Sequence, residues 1–108
     1  MKTRPHPRVL AAARWVGLVC VLAFTGCGPT IYAANVNKAS KRVESARHAE
    51  AAEHAPFEYH FAVAHLEKAR EAAGYASYQS AIEYARVARE YGEKARDIAR
   101  RRLREMGR

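Results

Sequence analysis

A chain of 108 residues with 19 Lys and Arg, 11 Asp and Glu and two cysteines has room for one small domain, and its two thiols are too few for a disulfide scaffold. Its formal charge of +8 is unevenly placed, because residues 1–26 hold four basic groups and no acidic one, so residues 27–108 carry only +4. Half of the apparent basicity thus belongs to the leading segment and gives no support to a nucleic-acid partner.

That segment has Lys2, Arg4, Arg8 and Arg14, then an apolar run from Trp15 to Phe24. The run is about half the length of a spanning helix, and Arg14 separates it from Val9–Ala13. Basic, then apolar, then small residues is the layout of a secretory signal. Phe24-Thr25-Gly26-Cys27 resembles the lipobox of bacterial lipoproteins. The resemblance implies a diacylglyceryl group on the Cys27 thiol, cleavage between Gly26 and Cys27, and usually acylation of the new amino group. Residues 1–26 are then a signal peptide and 27–30 an acylated tether. Cys20 would be discarded, which leaves no cysteine pair for redox or metal chemistry. Gly28 stands where inner-membrane retention signals place Asp, so the expected location is the periplasmic face of the outer membrane. An uncleaved membrane anchor is the other reading of the segment.

Residues 27–108 include nineteen alanines. Alanine is the best helix former but buries little surface. The expected fold is all-α: a small, Ala-rich antiparallel hairpin or three-helix domain spanning 31–106. Helix one is expected over about 31–54, with Thr30 placed to cap it and Tyr32, Val36, Ala39, Val43 and Ala46 in a narrow stripe. Pro56 lacks an N–H and constrains Ala55, so a turn or sharp kink falls there, and proline suits the first position of a new helix. Helix two then runs over about 56–73, with Ala62, Leu66, Ala69 and Ala73 as its seam, Phe57 and Phe61 beside it, and Gly74 as its stop. Ser77 is placed to cap helix three, over about 77–105. On a helical wheel Ala81, Ala85, Ala88, Gly92, Ala95 and Ala99 fall within about 80° of arc. Tyr84, Val87, Tyr91 and Ile98 line one flank; Tyr78, Ile82 and Leu103 line the other. The short link between helices two and three makes them antiparallel neighbours.

From Ala49 onward the chain resembles an uncharacterised family of bacterial envelope lipoproteins, domain of unknown function 4398. The residues that carry the likeness are Ala55-Pro56-Phe57-Glu58-Tyr59, Ala62, Leu66 with Ala69, the Ser77-Tyr78 turn, and Ala81, Ala85 and Ala88. The family usually has Gly shortly before the Ala-Pro; this chain has Ala51 and Ala52. The resemblance implies an envelope role and no known activity. Ala81-x-x-x-Ala85-x-x-Ala88 also resembles the second helix of a tetratricopeptide repeat. One 34-residue period earlier stand Arg47, Ala51 and His54, which do not match, so no repeat array is expected.

Nothing in the chain assembles into catalytic chemistry. His48, His54, His60 and His65 lack the i, i+4 pairing of a helical zinc site. Asp97 is flanked by Arg96 and Arg100, as in a surface ion pair. Ser40, Ser45, Ser77 and Ser80 lie in no nucleophile elbow, and there is no glycine-rich phosphate loop. No enzymatic activity, cofactor or metal is expected.

Two features point instead to contacts. Tyr84, Val87, Tyr91 and Ile98 form either core packing against helix one or a face for a protein partner or a second copy, where Tyr is favoured for its apolar body and polar tip. Arg100, Arg101, Arg102 and Arg104 are either a solvated helix end, favourable at the negative end of the dipole, or a contact for anionic lipid or a polyanion. The expected function is that of a membrane-anchored, periplasm-facing lipoprotein serving as a structural or interaction subunit of the envelope, held by acyl chains on Cys27 and without nucleic acid. The alternative is a cytoplasmic basic helical protein that binds nucleic acid, with residues 9–24 as a core helix.

Overall fold

The computed structural model describes residues 6–24 and 27–107. The described residues form five helices and no strand: α1 (Pro7–Phe24), α2 (Cys27–His48), α3 (Ala51–His54), α4 (Pro56–Gly74) and α5 (Tyr78–Met106). The fold is all-α, and α2, α4 and α5 pack together with α3 as a single turn between the first two. α1 contributes no residue to either core cluster.

The core is built almost wholly of alanine. One cluster joins Ala46, Ala49, Ala51, Ala55, Ala95 and Ala99, with Tyr59 and Ile98 against it. The other joins Ala39, Leu66, Ala69, Ala85 and Ala88, with Tyr32, Val36, Val43 and Tyr84 against it. Leu66 is the only buried hydrophobic side chain larger than alanine among the described residues. Small side chains gain from such packing only if backbones approach closely. They do at Gly92, where an added Cβ would lie 3.1 Å from backbone atoms of both Arg42 and Val43. The six small residues of the α5 seam are all buried.

Strand-like alternation is absent from these helices, and their relative directions follow from the contacts. Phe61 meets Tyr91 and His65 meets Tyr84, so α4 and α5 are antiparallel. Gly28 faces Tyr78, Arg42 pairs with Glu93 at 2.9 Å, and the numbers rise together. α2 and α5 therefore run side by side in parallel. Successive helices alternate in direction, as expected of an antiparallel three-helix domain, and the first and third therefore point the same way.

The element bounds differ from the expected ones in physically informative ways. Residues 27–30 are helical, within α2. Pro29 and Thr30 both lie inside the described helix, so Thr30 is not a cap. Helix one was expected to reach residue 54, but α2 stops at His48. Glu50 adopts φ 58°, a left-handed conformation that cannot continue a right-handed helix. It precedes the Ala51-Ala52 pair that stands where the resembling family usually has glycine. Ala55, at φ −144° and ψ 57°, then breaks the chain again before Pro56, which opens α4 as its first residue.

Gly74 is the last residue of α4 and has no positive φ. The left-handed residue is Ala76, at φ 57°. The Ala76 N–H donates to Ala73 O at 3.0 Å and the Ser77 N–H to Ala72 O at 2.9 Å, which is the Schellman pattern with alanine where glycine is usual. Ser77 makes no side-chain cap; its carbonyl accepts from Ala81 N–H at 2.9 Å. Because alanine in this region costs roughly 1 kcal/mol relative to glycine, Ala76→Gly is expected to stabilise the bundle by about that amount. Urea unfolding followed by circular dichroism measures it; an unchanged midpoint would contradict the assignment.

Candidate membrane anchor and interaction surfaces

α1 has 18 residues, about 27 Å at 1.5 Å per residue, against a hydrocarbon core of about 30 Å. Its apolar side chains stand in the open, with Trp15 69% exposed and Leu22 64%. The Trp15–Phe24 run was expected to be too short to span a membrane. In the structure Arg14 and Val9–Ala13 lie in the same helix as that run, and by length and composition alone the helix that includes them is long and apolar enough to cross a bilayer. A signal sequence and a membrane anchor share that property, and either is compatible with membrane association. Cys27 follows as the first residue of α2 with its side chain exposed, and Cys20 is exposed on α1. Thr25 and Gly26, the middle of the lipobox-like motif, lie outside the described residues. Next to Cys27, a Cβ on Gly28 would sit 3.2 Å from the Tyr78 ring, so the start of α2 is packed against the start of α5.

Tyr84, Val87, Tyr91 and Ile98 are all half-buried on one side of α5. Tyr84 and Tyr91 have ring neighbours on α4, whereas Ile98 packs against the cluster of Ala46, Ala49 and Ala51. The Phe61 ring stands 4.3 Å from the Tyr91 ring and 4.1 Å from His65, and His65 meets Tyr84 edge-on at 6.0 Å. Phe57, 66% exposed, extends this row from Phe61 at 5.7 Å. The amines of Lys94 and Lys68 lie over the Tyr91 and Tyr84 rings at 5.4 and 5.9 Å. Tyr84 also touches the alanine core, and Ile98 the other cluster. The alignment of Phe57, Phe61 and His65 with the α5 tyrosines was not anticipated; its sequence signal is their i, i+4 spacing on α4.

The arginines are gathered at the far end. Residues 27–95 hold nine basic and nine acidic side chains, whereas 96–108 hold six arginines with Asp97 and Glu105. The whole net charge of residues 27–108 thus falls on residues 96–108 of the sequence. Arg96 is held by Asp97 at 2.8 Å, and Arg102 donates to the carbonyl of His54. Arg100, Arg101 and Arg104 are exposed and take part in none of the ion pairs found among the described residues. Elsewhere the charges neutralise locally: Arg47 grips Glu44 with two nitrogens, at 3.0 and 2.5 Å. That hydrogen bonding, helped by His48, holds the Glu44 carboxyl below its usual value, while Glu44 raises the Arg47 guanidinium.

The histidines are spent on local contacts. His48 pairs with Glu44 at 3.1 Å and His65 Nδ1 lies 2.9 Å from the Phe61 carbonyl. Glu50, Glu53 and His54 bring donor atoms within 4.8 Å of one another around α3, a grouping that testing only His–His spacings overlooks. Glu50 and His54 are one helical turn apart, which is the signal that was available.

No curated protein and no solved structure matches the chain. A family profile described as Domain of unknown function (DUF4398) matches residues 34–107, which takes in most of α2 and all of α3, α4 and α5. The chain belongs to that family.

Proposed function

We propose that this protein is a lipid-anchored lipoprotein of the cell envelope that serves as a structural or interaction subunit without catalysis. In this reading residues 1–26 are removed, Cys27 carries the acyl chains, and the bundle faces the periplasm from the outer membrane. Two acyl chains or more hold a protein on a bilayer far more firmly than one. The supporting observation is the separation between α1 and the rest. An apolar helix shares no side chain with either core cluster, and Cys27, three residues after its last residue, has an exposed side chain. A partner would be offered the aromatic edge formed by Tyr84, Val87, Tyr91 and Ile98 together with Phe57.

The competing reading, a cytoplasmic nucleic-acid binder, needs α1 as a core helix and so is not favoured. Metabolic labelling with an alkynyl fatty acid discriminates between the two. Label is expected on the wild-type chain and lost in Cys27→Ala, with intact mass showing a chain that begins at Cys27. A membrane-bound form that retains its leading residues and takes no label would refute lipidation.

A further inference from the structure

The Cys27 end and the arginine end of this bundle are at opposite poles. Tyr78 opens α5 beside Gly28, level with the start of α2. Because α2 and α5 are parallel, each further residue of α5 carries the chain away from Cys27. At 1.5 Å per residue Arg100 is about 33 Å beyond Tyr78, and Arg104 about 39 Å. Ala49 and Arg100 line the same surface depression, so α2 ends near that level while α5 continues past it. The turns past the end of α2 hold Arg101, Arg102 and Arg104, of which Arg102 is held on the His54 carbonyl of α3.

We infer that this end is a basic tip that binds a flexible polycarboxylate chain at a distance from the membrane, and not the headgroups of the membrane that anchors the protein. The inference rests on reading the Cys27 end as the membrane end; α1 as an uncleaved anchor would place the membrane at the same pole. Three observations define the ligand. The net charge of residues 27–108 is concentrated here, with the other turns neutral, so attraction to a polyanion is local to the tip. Arg100, Arg101, Arg102 and Arg104, at 100° per residue, spread over about 200° of the helix circumference. A flat layer touches one face of such a helix, whereas a flexible chain can wrap it. All cations of the tip are guanidinium groups, which fork onto carboxylates with two nitrogens, as Arg47 does with Glu44 in this molecule.

The test uses the full chain in nanodiscs of neutral phosphatidylcholine, with fluorescent polyglutamate followed by anisotropy. Binding is expected, and R100Q/R101Q/R104Q should weaken it by about tenfold, the equivalent of three modest ion pairs. The charge-matched control K38Q/K41Q/K94Q should change it less than about threefold, as expected for charges outside the site. Arg102 is left intact because it holds the His54 carbonyl, and circular dichroism verifies that both variants stay helical. Equal losses in the two triple variants would overturn the inference. So would polyphosphate of equal charge binding tenfold tighter, or about 30% anionic lipid in the disc abolishing polyglutamate binding, the sign of a tip laid on the membrane. The anchor reading fails separately: polyglutamate binding with no fatty-acid label on Cys27 would remove the lipid and leave the tip.

Discussion

Replacing Gly92 by leucine is expected to unfold the bundle or leave it molten. A Cβ at this position alone would come within 3.1 Å of the Arg42 carbonyl carbon and the Val43 nitrogen. Those are backbone atoms, so no rotamer change makes room, and α2 must move off α5. Overpacking typically costs about 1–3 kcal/mol and more where backbone has to shift. Small domains commonly have only about 5–15 kcal/mol in total. Ala88→Leu, at a fully buried seam position, should act in the same direction. Glu90→Leu serves as the control, since Glu90 is exposed on the opposite face of α5 and should alter the midpoint by less than about 0.5 kcal/mol. Denaturant titration of the three variants decides the matter. Similar losses for Ala88→Leu and Glu90→Leu would mean that the seam does not face the core.

Leu66→Ala should produce the second large effect, through the opposite defect. Leu66 is 6% exposed and sits among Ala39, Ala69, Ala85 and Ala88. Alanines have no spare side-chain length to swing into a vacated site, so the cavity would persist unless whole helices closed on it. Leucine-to-alanine changes in cores cost about 2–5 kcal/mol, the more so where surroundings cannot relax. The midpoint of thermal or urea unfolding should fall accordingly. A loss below about 1 kcal/mol would show that the helices do collapse together, and would place the weight of the core on the half-buried aromatics.

The alanine periodicity made α4 and α5 legible almost to the residue, and the proline marked the break at Ala55. Burial of the Ala81–Ala99 seam followed from spacing alone, since few other arrangements accommodate so many small residues on one arc. The turns were less legible because their left-handed positions hold Glu50 and Ala76. Neither residue type announces such a conformation, whereas the glycine that seemed to, Gly74, is helical. Pro29, read as part of a tether, is helical. On the functional side, the cysteine and the arginine run could each be seen in the sequence. Their placement at opposite poles could not, because it depends on α2 and α5 lying parallel. Likewise, Tyr84 and Tyr91 could be assigned to one flank of α5, but not to α4 as neighbour.

The parallel pairing also has a consequence for how the chain acquires its structure. Gly28 meets Tyr78 and Arg42 meets Glu93, contacts about fifty residues apart in sequence, while His65 meets Tyr84 across only nineteen. Closing short loops loses less chain entropy than closing long ones, and local contacts form faster. The α4–α5 hairpin is therefore the natural nucleus, and α2 docks onto it last. In a chain delivered from its N-terminus, the cysteine end would spend the interval before docking as an open, unpacked segment. The last contact to close is then the one between Gly28 and Tyr78, while the neighbouring Cys27 side chain stays exposed even after docking.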